Sequence, residues 1–262
     1  MGPANSTNLH HQEQVMGTII TIDLYNEAGI DPSSVRDRLR GAIDSLHRDD
    51  RTFSTWKHES PVSRLRRGEI SLGEAPLEVT EVLELCGVAK DLTHGWFDPW
   101  ALEGGVDPTG YVKGWAARRA LDHFRDADLD GVMVNAAGDI ASFGGPVRGA
   151  RFRIGIVQPS SPTELACVVE SDGSIATSGA YERGDHLFNP FTGERATRVA
   201  SASVSGSGSD LGLCDALATA LVLGGDEVLE ILRGVPGYEG FTIGHDGKRC
   251  STEGFAFASM NP

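Results

Sequence analysis

The chain has 262 residues, of which 40% are hydrophobic, and 37 acidic against 23 basic residues give a formal net charge of −14. That length supports one large unit, or two intimately joined lobes, around a proper core, and no apolar stretch approaches the length of a membrane span. The negative charge repels nucleic acid and anionic membrane surfaces, so an anionic ligand must be gathered locally by a metal, by single Lys or Arg residues, or by backbone amides.

The polar start, Met1 to Gln14, lacks the basic end and apolar core of a secretion signal, so a cytoplasmic location is expected and this terminus reads as mobile. From Met16 to Tyr25 the β-branched run Thr18-Ile19-Ile20-Thr21-Ile22 predicts a strand. A helix follows, capped by Ser33 or Ser34, with Val35, Leu39, Ala42, Ile43 and Leu46 at helical spacing. Phe53 to Arg67 is polar and broken by Pro61, which predicts a loop with a short helix. Thr80 to Thr93 reads as a second amphipathic helix, stopped at Gly95.

Trp96 to Gly114 is dense in Gly, Pro and Asp, a composition suited to a binding loop, and leads into a helix from about Lys113 to Arg125. Strands are predicted at Gly131 to Ala136, Phe152 to Val157, Leu165 to Glu170 and Val199 to Ser205. A helix around Asp215 and Thr219 is followed by Asp226 to Arg233, then by strands near Gly240 to Ile243 and Arg249 to Ala258. Strands and helices do not alternate strictly, so the expected class is α+β, with mixed sheets packed against helices rather than a doubly wound parallel sheet. No linker is clear enough to divide the chain. Cys86, Cys167, Cys214 and Cys250 are far apart and show no paired metal-ligand spacing, so they read as free thiols in apolar surroundings.

Several segments carry chemistry. In Asp215-Ala-Leu-Ala-Thr219 the spacing of four puts a carboxylate and a hydroxyl on one face of an otherwise apolar helix, a pair of hard oxygens suited to a divalent cation that also holds phosphate. The same spacing also occurs in ordinary solvated helices. Asp107-Pro-Thr-Gly-Tyr-Val-Lys-Gly114 combines a turn, two glycines and a lysine near a helix start, a candidate phosphate site as well as a plain turn. Asn135-Ala-Ala-Gly-Asp139 either admits a ligand to the backbone or makes a tight turn. Thr177-Ser178-Gly179 offers hydroxyls and amides, or a turn held by its own side chains. His186, followed by Asn189-Pro190 and Thr192-Gly193, sits in a loop pattern rather than a core one, and is a candidate base.

Taken in order, these segments resemble the FAD:protein FMN transferases, the ApbE-type flavin transferases. The resemblance runs through Met16-Gly17-Thr18, Phe53 to Trp56 with Ser60 to Leu65, Phe97-Asp98-Pro99, Asp107 to Gly114, Asn135 to Asp139, Thr177 to Gly179, His186 to Gly193 and Asp215 to Thr219. It implies a protein that binds FAD with Mg²⁺ and moves FMN onto a Thr or Ser hydroxyl of a target flavoprotein, releasing AMP. By the same resemblance Asp215 and Thr219 hold the metal, helped by a backbone carbonyl near Val112, and Lys113 sits by the FAD phosphates. Met16 and Trp56 line the adenine side, with Trp56 where the family usually has Tyr. Asp107, Asn135, Gly138 and Asp139 frame the flavin nucleotide, and Thr177 and Ser178 contact it. The family's Gly-Gly pairs stand here as Thr109-Gly110 and Ala137-Gly138, which crowds the backbone. His186 is the candidate for taking the acceptor's proton. Two other readings keep the pocket: an Mg²⁺-dependent FAD pyrophosphatase giving FMN and AMP, and a non-catalytic FAD-binding protein.

Overall fold

The fold is built on a long antiparallel sheet whose two-residue hairpins set its register. The computed structural model describes residues 6–101, 104–179, 187–194, 197–207 and 210–258. Strand β1 (Ser6–Val15) turns through Met16-Gly17 into β2 (Thr18–Ile30), with Val15 opposite Thr18. Both turn residues have positive φ, 54° and 70°, the backbone twist that suits a two-residue hairpin. The terminus expected to be mobile is therefore an edge strand in its described part. Its polar sequence fits an edge strand, since Leu9, His11, Glu13 and Val15 face inward while alternate residues meet solvent. His10 pairs with Asp23 at 2.6 Å, and His11 and His47 bracket Glu13 at 3.1 and 2.9 Å.

Helix α1 (Pro32–Phe53) is capped by Asp31, which accepts from the Ser33 amide at 2.9 Å, two residues ahead of Ser33, the nearer of the expected caps, because Pro32 takes the first helical position. Next come α2 (Pro61–Arg66), α3 (Leu77–Leu92) and α4 (Thr109–Asp122). The fourth helix starts a turn earlier than its composition suggested. Pro108 leads into it, and Asp107 Oδ1 accepts from the Thr109 amide at 3.0 Å.

The sheet continues through β3 (Gly131–Ala136), β4 (Asp139–Gly144), β7 (Ser174–Gly179), β8 (Ser201–Gly206), β9 (Tyr238–Ile243) and β10 (Arg249–Ser251), in the order β1-β2-β3-β4-β7-β8-β9-β10. A separate hairpin pairs β5 (Phe152–Gln158) with β6 (Ser161–Ser171). Every strand pair among the described residues is antiparallel. Helix α5 (Leu211–Gly224) and the short α6 (Asp226–Leu232) lie between β8 and β9 in sequence.

Strand alternation splits the core into two apolar layers. Ala141, Ala176, Ala202 and Val204 belong to the layer with α4 and α5, where their small side chains let helix and sheet approach closely. Ile140, Ile175, Phe241 and Ile243 point the other way and pack with Phe152, Ile154 and Ile156 of the β5–β6 hairpin. Helices α4 and α5 touch closely for a reason visible at two glycines. A Cβ on Gly114 would lie 2.4 Å from the Leu211 carbonyl oxygen, and one on Gly212 would lie 2.5 Å from the Tyr111 ring. Gly114 thus serves helix packing rather than ligand approach.

Candidate active site

A cavity of about 690 Å³ opens between α2, the loop before α4, α4 itself, the end of β7, α5 and the segment 187–193. Helix α5 supplies Asp215 and Thr219 to it, one turn apart as the spacing required. Asp215 is only 4% exposed, on a helix that is otherwise almost wholly apolar. Ser178, near the end of β7, brings its Oγ to 3.4 Å from Thr219 Oγ1. Its neighbour Thr177 also lines the cavity and shares a 2.8 Å hydrogen bond with Ser203. The Thr177–Gly179 segment is thus a strand end, not a turn. Gly110 faces the same floor: a Cβ there would lie 3.3 Å from Phe97 and 3.7 Å from Thr219 Oγ1.

Among the described residues two cations line the cavity, Lys113 and Arg66. Lys113 stands in the second turn of α4, so the free amides at the helix start are not beside it. Its Nζ lies 2.6 Å from Oδ2 of Asp139, a carboxylate with no exposed surface. Burial pushes the Asp139 carboxyl up from its ordinary range, against the Lys113 charge and hydrogen bonding that favour the ionised form. The Thr177 amide and the Asp215 carboxyl also bear on it. Arg66 was not singled out in the sequence. Its Nε donates to the Gly104 carbonyl at 3.1 Å, and a second nitrogen is 3.4 Å from Asp107 Oδ2. Nothing in the run Arg64-Leu-Arg-Arg67 distinguishes Arg66, because only the fold shows which of these arginines meets the loop before α4.

The remaining walls are apolar or loop-built. Trp96 and Phe97 line one side, held where the Thr93 hydroxyl accepts from the Phe97 amide at 3.0 Å. Leu187, Phe188, Asn189, Pro190 and Gly193 line another. Asn189 folds that segment, its Oδ1 accepting from the Phe191 and Thr192 amides at 2.9 and 3.3 Å. Asp98 is held by Lys90 at 2.7 Å. His186, the expected base, lies outside the described residues.

Several residues expected to touch the nucleotide do not line the cavity. Asn135 and Gly138 build a hairpin turn: Asn135 Oδ1 accepts from the Gly138 amide at 2.9 Å, and Ala136 sits opposite Asp139. Ala137 takes φ 53° in that turn, where glycine would be unstrained. Asp139 is enclosed behind Lys113. Met16 occupies the β1–β2 turn at the same end of the sheet, since Ile20 pairs with Ala136. Trp56 is 95% exposed, on a loop fastened by the Ser60 and Ser63 hydroxyls to the Ser54 carbonyl. Val112 is buried inside the first turn of α4, where helical geometry directs its carbonyl along the helix axis.

The donor set fits a hard cation. Asp215, Thr219 and Ser178 offer only oxygen, and among the described residues no group of three or more His, Cys, Asp or Glu could hold a metal. A Mg²⁺ ion here would need phosphate oxygens and water to complete six ligands, which is its usual mode with nucleotides.

Residues 16–103 and 101–241 match the profile of the ApbE family. The chain belongs to the ApbE family. A Vibrio cholerae protein named FAD:protein FMN transferase is 31% identical over 133 residues, a segment covering 47% of this chain and 39% of that relative. Among solved structures, the ApbE protein of Thermotoga maritima superposes with a TM-score of 0.80 at 20% identity, covering 94% of this chain and 97% of its own. A mutant of the flavin transferase ApbE of Vibrio cholerae gives 0.76 at 20% identity, covering 95% and 98%. The fold thus brings together the sequence segments around Phe97, Asp107, Thr177, Asn189 and Asp215, while Met16, Trp56 and Asn135 do not line the cavity.

Proposed function

We propose that this protein is an FAD:protein FMN transferase, binding FAD in the cavity and moving its FMN half onto a Thr or Ser hydroxyl of a target flavoprotein. The observation that carries this reading is the convergence of Asp215, Thr219 and Ser178 with Lys113 and Arg66 in one cavity of nucleotide size. The family membership agrees with it, and the Vibrio cholerae relative is named for that activity.

In the proposed reaction the acceptor oxygen forms a bond to the phosphorus of the FMN phosphate, and the bond from that phosphorus to the bridging oxygen breaks. The bridging oxygen leaves with AMP. The acceptor proton passes to a base, and His186 is the candidate. Mg²⁺ bound by Asp215 and Thr219 would offset the negative charge of the pyrophosphate and of the departing AMP. Lys113, tethered to Asp139, keeps a fixed positive charge at the floor, while Trp96, Phe97 and Phe188 exclude water from the apolar side.

Intact-mass measurement of a candidate flavoprotein incubated with this protein, FAD and Mg²⁺ tests the proposal. A gain equal to FMN on the partner is expected. Release of FMN and AMP with no change in any partner would replace transfer by hydrolysis, and unchanged FAD would leave a carrier. His186→Ala should cut transfer far more than FAD binding; unchanged transfer would remove His186 from the mechanism.

A further inference from the structure

The two cavity cations are not equivalent, and the difference assigns them different work. Lys113 cannot leave Asp139 without stranding a carboxylate that has no exposed surface. Arg66 faces no such penalty. Its contact with Asp107 is long, 3.4 Å, and Asp107 keeps a second task, capping α4 through the Thr109 amide, whether or not Arg66 stays. The loop before α4 runs close against this residue. Gly104 and Gly105 have φ of 88° and 96°; a Cβ on Gly104 would lie 3.4 Å from the Arg66 guanidinium, and one on Gly105 would lie 3.4 Å from the Arg66 backbone. The Gly104 carbonyl takes Nε, which fixes the plane of the guanidinium.

The neighbouring arginines of α2 are engaged elsewhere. Arg67 forms a bidentate pair with Glu69 and donates to the His58 carbonyl, and Arg64 approaches Glu69 at 3.8 Å. Neither lines the cavity. A guanidinium oriented through Nε by the Gly104 carbonyl, whose other contact is the long one to Asp107, matches two phosphate oxygens better than an ammonium does.

We infer that Arg66 is a nucleotide-binding residue of this chain, exchanging Asp107 for a phosphate of the bound nucleotide. This rests on the nucleotide-transfer reading above. Occupancy of Arg66 by phosphate would release one Asp107 oxygen while leaving the helix cap in place, so binding would not disturb α4.

The test measures binding of ADP, AMP and adenosine to the full-length protein in the presence of Mg²⁺, for wild type, Arg66→Met and Arg66→Lys. Arg66→Met should weaken ADP and AMP about tenfold and leave adenosine within twofold, and Arg66→Lys should recover part of the loss. The salt dependence of ADP binding should also become shallower in Arg66→Met, because one fewer cation meets phosphate. A purely structural role would weaken all three ligands together and leave that slope alone. Wild-type binding of ADP with Arg66→Met unimpaired would overturn the Arg66 assignment only. Failure of the wild type to bind ADP at all would overturn the nucleotide reading and this inference with it.

Discussion

Lys113–Asp139 and Arg66–Asp107 are both cation–carboxylate pairs on one cavity, yet they differ in almost every physical respect. The first joins a helix to a sheet strand at 2.6 Å with the carboxylate fully enclosed; the second joins a helix end to a loop at 3.4 Å with both partners about one-fifth exposed. A buried pair fixes geometry because neither member can be removed alone without leaving a desolvated charge. A longer pair whose carboxylate still meets solvent contributes less to stability and can be exchanged for a ligand at smaller cost. The site thus has a rigid floor, where Asp215 and Thr219 stand next to the first pair, and an adjustable rim.

The largest effect should come from the floor itself. Asp215→Ala removes the one carboxylate of the proposed metal site that lines it alongside Thr219, and metal-dependent FAD turnover should fall at least about a hundredfold. Magnesium titrations of the variant and the wild type would show this, and full activity would defeat the metal assignment. The two pairs can then be compared directly. Lys113→Met should cost about 3–5 kcal/mol in urea denaturation, and adding Asp139→Asn should return much of it. Arg66→Met should cost less than about 1 kcal/mol. Equal costs would erase the distinction between floor and rim.

A third pair isolates what burial does. Asp49 is 2% exposed and lies 2.8 Å from Arg119, and burial outweighs that guanidinium, raising the carboxyl to about 6. A folded-state value above the unfolded one means the native protein holds the extra proton between about pH 4 and 6. Stability should therefore fall as pH rises through that window, by about 3 kcal/mol in total, and level off above it. Asp49→Asn should remove this slope from denaturation curves collected across the window. A gain rather than a loss is expected at Ala137, whose φ of 53° is unstrained only for glycine. Ala137→Gly should raise stability by about 1 kcal/mol if the turn merely presents Asp139. A loss of FAD binding in that variant would instead give the Ala137 side chain a direct part.

Much of this architecture was legible in the chain. The helix carrying Asp215 and Thr219 was expected from its continuous small and apolar run, with the two polar residues one turn apart, and the α+β class followed from interspersed strands and helices. Elements were missed where local sequence and tertiary setting disagree. Strand β4, Asp-Ile-Ala-Ser-Phe-Gly, is rich in small residues because it lies between α4 and the β5–β6 hairpin, so it carries no polar alternation to announce it. Strand β1 is polar because it is an edge, and β7 ends in Thr177-Ser178-Gly179, residues typical of turns. Asp139 is expected to frame the nucleotide by resemblance to the family, while its own neighbours leave ligand approach and a tight turn open. Its enclosure behind Lys113 depends on a pairing across 26 residues that no local pattern encodes. Arg66 was invisible for the same reason.

The most direct test of the account is a crystal structure of this protein with FAD and Mg²⁺ bound. The pyrophosphate should lie in the cavity, with the ion on Asp215 and Thr219, Lys113 still paired with Asp139, and Arg66 turned from Asp107 to a phosphate. FAD seated elsewhere, or an ion held without Asp215, would contradict it.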